Sequence, residues 1–256
     1  MSAPRATGTA AGSATPALEV RGLTRRFGGL VALDDLAFAV DQGETRCVIG
    51  PNGAGKTTLL NVICGLVRPS SGQVWAEGRE ITRASPVAIA RAGMIRSFQT
   101  PTVFPGLPVA VNVELGSRHP GAPAHGADER RDRAIEQLGF SGRERVPAGE
   151  LSHGERKRLE LAVMLAGEPR ILLLDEPTAG MSIHETDEVV ELLERVCGEM
   201  TVVIIEHDMS FVRQIANRVT VLHYGALLME GTLAEVQADE RVRDVYLGAG
   251  NGAGAL

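Results

Sequence analysis

From Leu18 onward, short runs of apolar and β-branched residues alternate with stretches of helical character, a rhythm that predicts an α/β fold with a largely parallel sheet. The first two runs, Leu18–Arg21 and Leu36–Val40, lie close in the chain and are expected to pair antiparallel. Arg46-Cys47-Val48-Ile49 is a short apolar run that ends directly in a glycine-rich turn, and Lys56 to Cys64 reads as the helix behind it. Strand signals return at Ile171–Leu174, Thr201–Ile205 and Arg218–Leu222 with helices between them, as expected of a chain that re-enters one sheet. From about Pro86 to Glu150 strand character fades, and helical segments are broken by Pro and Gly, as in Ser117-Arg118-His119-Pro120-Gly121-Ala122-Pro123. A mostly helical lobe of about residues 86–165, inserted into a domain of 18–248, is therefore expected. Residues 1–17 are small and polar without the apolar centre of a secretory signal and read as a disordered tail, and 249–256 read as a flexible end.

Composition narrows the chemistry. With 256 residues and 44% hydrophobic side chains, the chain can bury one full core. A net charge of −6 speaks against a nucleic-acid binder, because neutralising phosphates needs a basic face. Cys47, Cys64 and Cys197 are odd in number and sit in apolar stretches, the pattern of buried thiols in a reducing compartment rather than of a disulfide framework or zinc site. No apolar run approaches the roughly 20 residues of a membrane-crossing helix, so a membrane role must run through partner chains.

Gly50-Pro51-Asn52-Gly53-Ala54-Gly55-Lys56-Thr57 matches G-x-x-x-x-G-K-[ST] and lies between an expected strand and an expected helix, the context that a phosphate-binding loop requires. Glycines let successive N–H groups converge on phosphate oxygens, and the helix N-terminus adds partial positive charge. Lys56 reaches the β/γ-phosphates and the Thr57 hydroxyl faces Mg²⁺. Only two lysines occur in a chain otherwise rich in arginine, and one of them is Lys56. Ile171-Leu172-Leu173-Leu174-Asp175-Glu176 places two carboxylates at the carboxyl end of a buried strand, where open α/β sheets bind ligands. Strand alternation turns them different ways, Asp175 to hold Mg²⁺ through water and Glu176 to polarise an attacking water. Thr201–Ile205 ends in Glu206-His207-Asp208; a lone strand-end histidine is as often structural as chemical, but beside this loop and this acidic pair His207 reads as a γ-phosphate contact. Leu151-Ser152-His153-Gly154-Glu155 opens a helix, with Ser152 and Glu155 at capping-box spacing, and an exposed helix N-terminus can also receive a phosphate.

Taken in order, the phosphate loop, Leu151–Glu155, Asp175-Glu176 and His207 resemble the ABC-transporter ATPases over about residues 18–248. The resemblance implies a P-loop NTPase fold of the ABC type: a mixed-sheet core, an antiparallel β subdomain and an inserted helical subdomain. It implies that residues 50–58, Thr58 included, bind ATP with Mg²⁺, and that Phe27 stacks on adenine. Gln99 would sense Mg²⁺ and the membrane partner, and Leu151, Ser152, His153, Gly154 and Glu155 would close the ATP site of a second chain. His153 and Glu155 stand where the family signature has Gly and Gln, and Ser182 where many members have Asp; Ser182 and Glu185 keep capping-box spacing.

Within the family the chain is most similar to ATPases that energise uptake of branched-chain amino acids and urea, through Arg26–Leu30, Phe98–Phe104, Ala179-Gly180-Met181, Glu206–Met209 and Val245–Gly248. Such a subunit works as a homodimer or with a paralogous ATPase, on integral membrane permease subunits and indirectly with an extracytoplasmic solute-binding protein. It sits peripherally on the cytoplasmic face of the cell membrane. The rival readings are a soluble ABC ATPase, whose tandem cassettes or long coiled coils the sequence lacks, and the ATPase of an exporter or lipid transporter.

Overall fold

The computed structural model describes residues 15–97, 103–196, 198 and 200–248. In chain order the first half contains β1 (Leu18–Phe27), β2 (Leu30–Val40), β3 (Thr45–Ile49), α1 (Lys56–Ile63), β4 (Ser71–Ala76), β5 (Arg79–Glu80), α2 (Pro86–Arg91), β6 (Met94–Arg96), α3 (Val109–Ser117) and α4 (Ala127–Gln137). The second half contains α5 (His153–Ala166), β7 (Ile171–Asp175), α6 (Ile183–Val196), β8 (Thr201–Ile205), α7 (Met209–Ile215), β9 (Arg218–His223), β10 (Ala226–Gly231), α8 (Leu233–Ala238) and α9 (Glu240–Gly248).

The central sheet has the order β10-β9-β3-β8-β7-β6 and is parallel throughout except for β10 at its edge. Every residue of β3, β7 and β8 is buried, which is why these strands read as unbroken apolar runs rather than alternating ones. The period of two still operates inside them. Cys47, Ile49, Leu172, Leu174, Val202 and Ile204 share one core with helices α3, α5, α6 and α7. Val48, Leu173, Val203 and Ile205 join a second core with α1 and the antiparallel sheet. Arg46 is the exception within β3: fully buried, it is neutralised by Glu44 at 2.5 Å and Glu230 at 3.0 Å and also donates to Thr220 and the Ala39 carbonyl.

The antiparallel sheet has the order β2-β1-β4-β5. The expected pairing of the first two runs is present, with Leu18 opposite Val40 and Val20 opposite Phe38, and it extends to Phe27 opposite Leu30 across the Gly28-Gly29 loop. The sequence pattern extends the tail to Ala17, but Ala17 is buried and donates to the Val40 carbonyl, so order begins before β1. Residues 1–14 of the expected tail, the expected flexible end 249–256, Cys197 and Gln99 lie outside the described residues.

The stretch expected to be mostly helical from about Pro86 holds a strand near its start. Met94–Arg96 pairs parallel with β7, and α2 packs beside it, so 86–97 belongs to the central sheet rather than to the lobe. A three-residue strand at the sheet edge is too short to leave a periodic signal. Beyond it α3, α4 and α5 pack on one another around Val113, Ala134, Ile135, Leu138 and Leu159. No helix among the described residues is long and apolar enough to cross a membrane.

Candidate nucleotide site

The phosphate loop leaves β3 and enters α1 at Gly55, whose left-handed backbone (φ 101°) caps the helix. Only glycine suits this position, since a Cβ would also stand 2.5 Å from the Ala32 carbonyl of β2. The loop is braced from the other side: Gly225 donates to the Ala54 carbonyl at 3.0 Å, and Asp34 of β2 donates to the Gly225 carbonyl at 2.8 Å. Tyr224 and Gly225 turn β9 into β10 with φ 47° and 79°, the left-handed pair of a type I′ hairpin. A cleft of about 490 Å³ beside the loop is lined by Pro51, Asn52, Gly53, Ala54, His223 and Asp244. Lys56 is buried in the first turn of α1, and its Nζ donates to the Gly50 carbonyl at 2.6 Å and the Pro51 carbonyl at 3.1 Å. Burial lowers its pKa, while Glu176 and Asp175 nearby pull it the other way. Thr57 is exposed and Thr58 half-buried on the same turn.

At the carboxyl end of β7, Asp175 is buried, and its Oδ2 receives Arg96 Nη2 at 2.8 Å. Its backbone N–H donates to Ser97 Oγ at 3.0 Å. Oδ1 is buried with no hydrogen-bond partner among the described residues, a bare acceptor that a hydrated divalent cation would satisfy. The donor set, a carboxylate oxygen with the Thr57 hydroxyl, is all oxygen and suits Mg²⁺. Glu176 follows at φ 50°, a left-handed conformation that a Cβ disfavours, and its half-buried carboxylate lies 3.7 Å from His207 Nδ1.

The sequence reading did not single out Glu206 or Lys157. Glu206 is 1% exposed: one oxygen accepts from Thr178 Oγ1 at 2.6 Å, the other from the His207 N–H at 2.9 Å. It ties the turn after β7 to the turn after β8, and so fixes the spacing of Glu176 and His207. Lys157, the second lysine, comes from α5. Its Nζ donates to the carbonyls of Glu176 at 3.1 Å, Pro177 at 3.3 Å and Ala179 at 2.8 Å. Burial lowers its pKa against the opposing pull of Glu206, Glu160 and Glu176.

Leu151–Glu155 stands on the lobe at the start of α5. The capping box is formed: Glu155 N–H donates to Ser152 Oγ at 3.2 Å, and Ser152 N–H to Glu155 Oε2 at 2.8 Å. The other Glu155 oxygen is bound by Arg143, and that contact, followed by the Ser152 N–H, holds the carboxyl at about 2. The extra negative charge of Glu155 is thus already paired within the chain. A Cβ at Gly154 would run into Glu185 Oε1 and would push that carboxylate aside. Glu185 itself completes the second box, accepting from Ser182 N–H and Oγ at 2.8 Å each. His153 is exposed at the head of the helix. Phe27 lies on the antiparallel sheet, partly exposed, with the Arg25 guanidinium 4.2 Å from its ring centre.

The structure therefore gathers the phosphate loop, Asp175, Glu176 and His207 at one edge of the central sheet, with Phe27 and Leu151–Glu155 on separate elements. Residues 33–179 match the family described as ABC transporter, and residues 226–251 match the family described as branched-chain amino acid ATP-binding cassette transporter. The chain is 36% identical to the high-affinity branched-chain amino acid transport ATP-binding protein BraF of Pseudomonas aeruginosa over 250 residues, covering 91% of this chain and 98% of that protein. It is 35% identical to LivG of Salmonella typhimurium, named for the same transport, with the same coverage. Among solved structures, an ABC transporter ATP-binding cassette in its ADP conformation superposes with a TM-score of 0.83 at 30% identity, covering 92% of this chain and all of that one.

Proposed function

Because the chain belongs to the ABC transporter family and is one of its ATP-binding, ATP-hydrolysing cassettes, we propose that it energises an importer of branched-chain amino acids. The observation that carries the site assignment is the convergence of Lys56, the bare Asp175 Oδ1, Glu176 and His207 on one sheet edge. ATP is the substrate. Gly50, Pro51, Asn52, Gly53, Ala54, Gly55, Thr57 and Thr58 cradle its phosphates with Lys56, which exchanges its two carbonyl partners for phosphate oxygens. Phe27 stacks on the base. Thr57 and Asp175, with Gln99 as the resemblance implies, would hold Mg²⁺, which would supply positive charge against the phosphates. Glu176 takes the proton of the attacking water, and His207, 3.7 Å away, faces the γ-phosphate and keeps that carboxylate oriented.

One chain covers the phosphates from one side only. Two copies, or this chain with a paralogous ATPase, are needed for Leu151–Glu155 of one to close the loop of the other. ATP binding favours that closed pair and hydrolysis releases it. Phe104 and Leu107 in the segment before α3, with Val111 and Leu115 on it, are exposed apolar residues, and this patch fits the docking of integral membrane permease subunits. The subunit then sits peripherally on the cytoplasmic face, and a solute-binding protein acts across the membrane. The names carried by BraF and LivG favour branched-chain amino acids over urea.

Glu176→Gln is the direct test of the chemistry: turnover should fall by about 100-fold or more with ATP affinity retained. Hydrolysis at the wild-type rate would remove Glu176 as the base. Purifying that variant from its native membranes in ATP and Mg²⁺ should bring multi-span membrane proteins with it. Stimulation of the wild-type assembly in vesicles by leucine, isoleucine or valine names the solute, and stimulation by urea alone would overturn it.

A further inference from the structure

We propose that Lys157 is a positioning residue for hydrolysis, a tie that sets the Glu176 backbone from the helix that Leu151–Glu155 opens; this rests on the reading of Glu176 as the base. Three carbonyls of one turn, those of Glu176, Pro177 and Ala179, converge on its Nζ within 3.3 Å. An ammonium has three donors, and here all three have acceptors. Carbonyl oxygens repel one another when crowded, so a turn of this shape needs a cation or donor at its centre. The same turn carries Glu176 at φ 50°, a conformation its own side chain disfavours. Lys157 therefore stabilises the backbone geometry from which the Glu176 carboxylate is aimed.

The tie has a direction. Lys157 lies in α5, one turn beyond Gly154, and Gly154 packs against Glu185 in the first turn of α6, the helix that follows that turn. Arg158 adds a contact to Glu188 of α6 at 3.2 Å. A shift of the α5 N-terminus, where a second chain's phosphate is proposed to bind, is thus passed to the Glu176 carbonyl through one buried side chain rather than through flexible loop. Lys157 touches neither ATP nor water in this account. Its effect is on the aim of the base, so it should alter kcat and leave nucleotide binding alone.

The experiment uses the full-length chain with four forms: wild type, Lys157→Met, Lys157→Arg and Glu176→Gln. ATP affinity is read by equilibrium titration, and kcat and KM by phosphate release. Lys157→Met should lower kcat by about 10- to 100-fold, the scale expected of a base misplaced by about 1 Å, with ATP affinity within about twofold of wild type. Lys157→Arg, which keeps donors for the carbonyls, should recover most of kcat. If Lys157→Met does not fold, Lys157→Gln takes its place, with an intermediate loss of kcat expected. Unchanged kcat in the folded variant, or a loss confined to ATP affinity, overturns the proposal. Glu176→Gln separates the two claims: if it is inactive while Lys157→Met is not, the base stands and the tie fails. If Glu176→Gln remains active, the reading of Glu176 fails first, whatever Lys157→Met does.

Discussion

Two turns at the same sheet edge are each gripped by a buried lysine, and they are gripped in different ways. Lys56 binds carbonyls of its own loop, five and six residues back, while Lys157 reaches from another helix to a turn 19 to 22 residues ahead. The phosphate loop assigns its left-handed positions to glycine, at Gly53 (φ 81°) and Gly55 (φ 101°). The turn after β7 assigns one to Glu176. A local clamp on a glycine-rich loop can trade its carbonyls for an arriving anion. A distant clamp on a strained turn serves to keep a side chain where the chain would not leave it. One turn is built to receive, the other to hold.

The largest effect that could break this contrast is on binding. Lys56→Ala should weaken ATP affinity by about 10-fold or more, a loss of about 1.4 kcal/mol per decade, because a buried charge facing phosphates is removed. Lys157→Met should not. Titration with ATP and Mg²⁺ decides it, and affinity unchanged in Lys56→Ala would mean that the two lysines do the same structural work.

A smaller effect tests whether the helix bearing Lys157 faces a phosphate at all. Arg143→Ala unmasks the Glu155 charge at the head of α5, and ATP-dependent dimerisation should weaken by roughly 3- to 10-fold, the size of a helix-terminus charge effect in a partly buried site. Adding Glu155→Gln should restore it. If the double variant is as weak as the single, Arg143 only packs. Glu155 also gives a pH signature. Its carboxyl is lowered from 4.5 to about 2, so its pairing stabilises the fold above 4.5 and is lost as pH falls towards 2; Glu155→Gln should flatten stability in that window.

Much of the site was legible because its signals are local. A loop of fixed spacing, apolar runs ending in Asp175 and Glu206-His207, and Ser152 three residues before Glu155 each state their geometry within a few residues. What the sequence did not disclose joins distant segments. Glu206 bonding Thr178, Lys157 bonding the turn after β7 and Arg143 bonding Glu155 depend on which elements the sheet order brings together. The fold shows the same division. Buried five-residue strands were visible, whereas β6, with three residues, and β10, reached through a Tyr224-Gly225 turn in place of the more recognisable Asn-Gly, were not.

The smallest effect concerns the strain itself. At φ 50° a residue with a Cβ carries about 1–2 kcal/mol that glycine does not. Glycine also frees the unfolded chain, which costs about 0.4–1 kcal/mol. The first term exceeds the second, so Glu176→Gly should be more stable than Glu176→Ala by about 0.5–1 kcal/mol, a rise in thermal midpoint of about 2 °C for a chain of this size. Both variants lack the carboxylate, so the comparison isolates backbone preference from charge. The difference should grow when Lys157→Met is added, because the strained turn then loses the donor that holds it. If Glu176→Gly is instead the less stable of the two, the turn sits at φ 50° without strain. Lys157 would then satisfy three buried carbonyls and nothing more, and the distinction between a receiving turn and a holding turn would rest on the glycines of the phosphate loop alone.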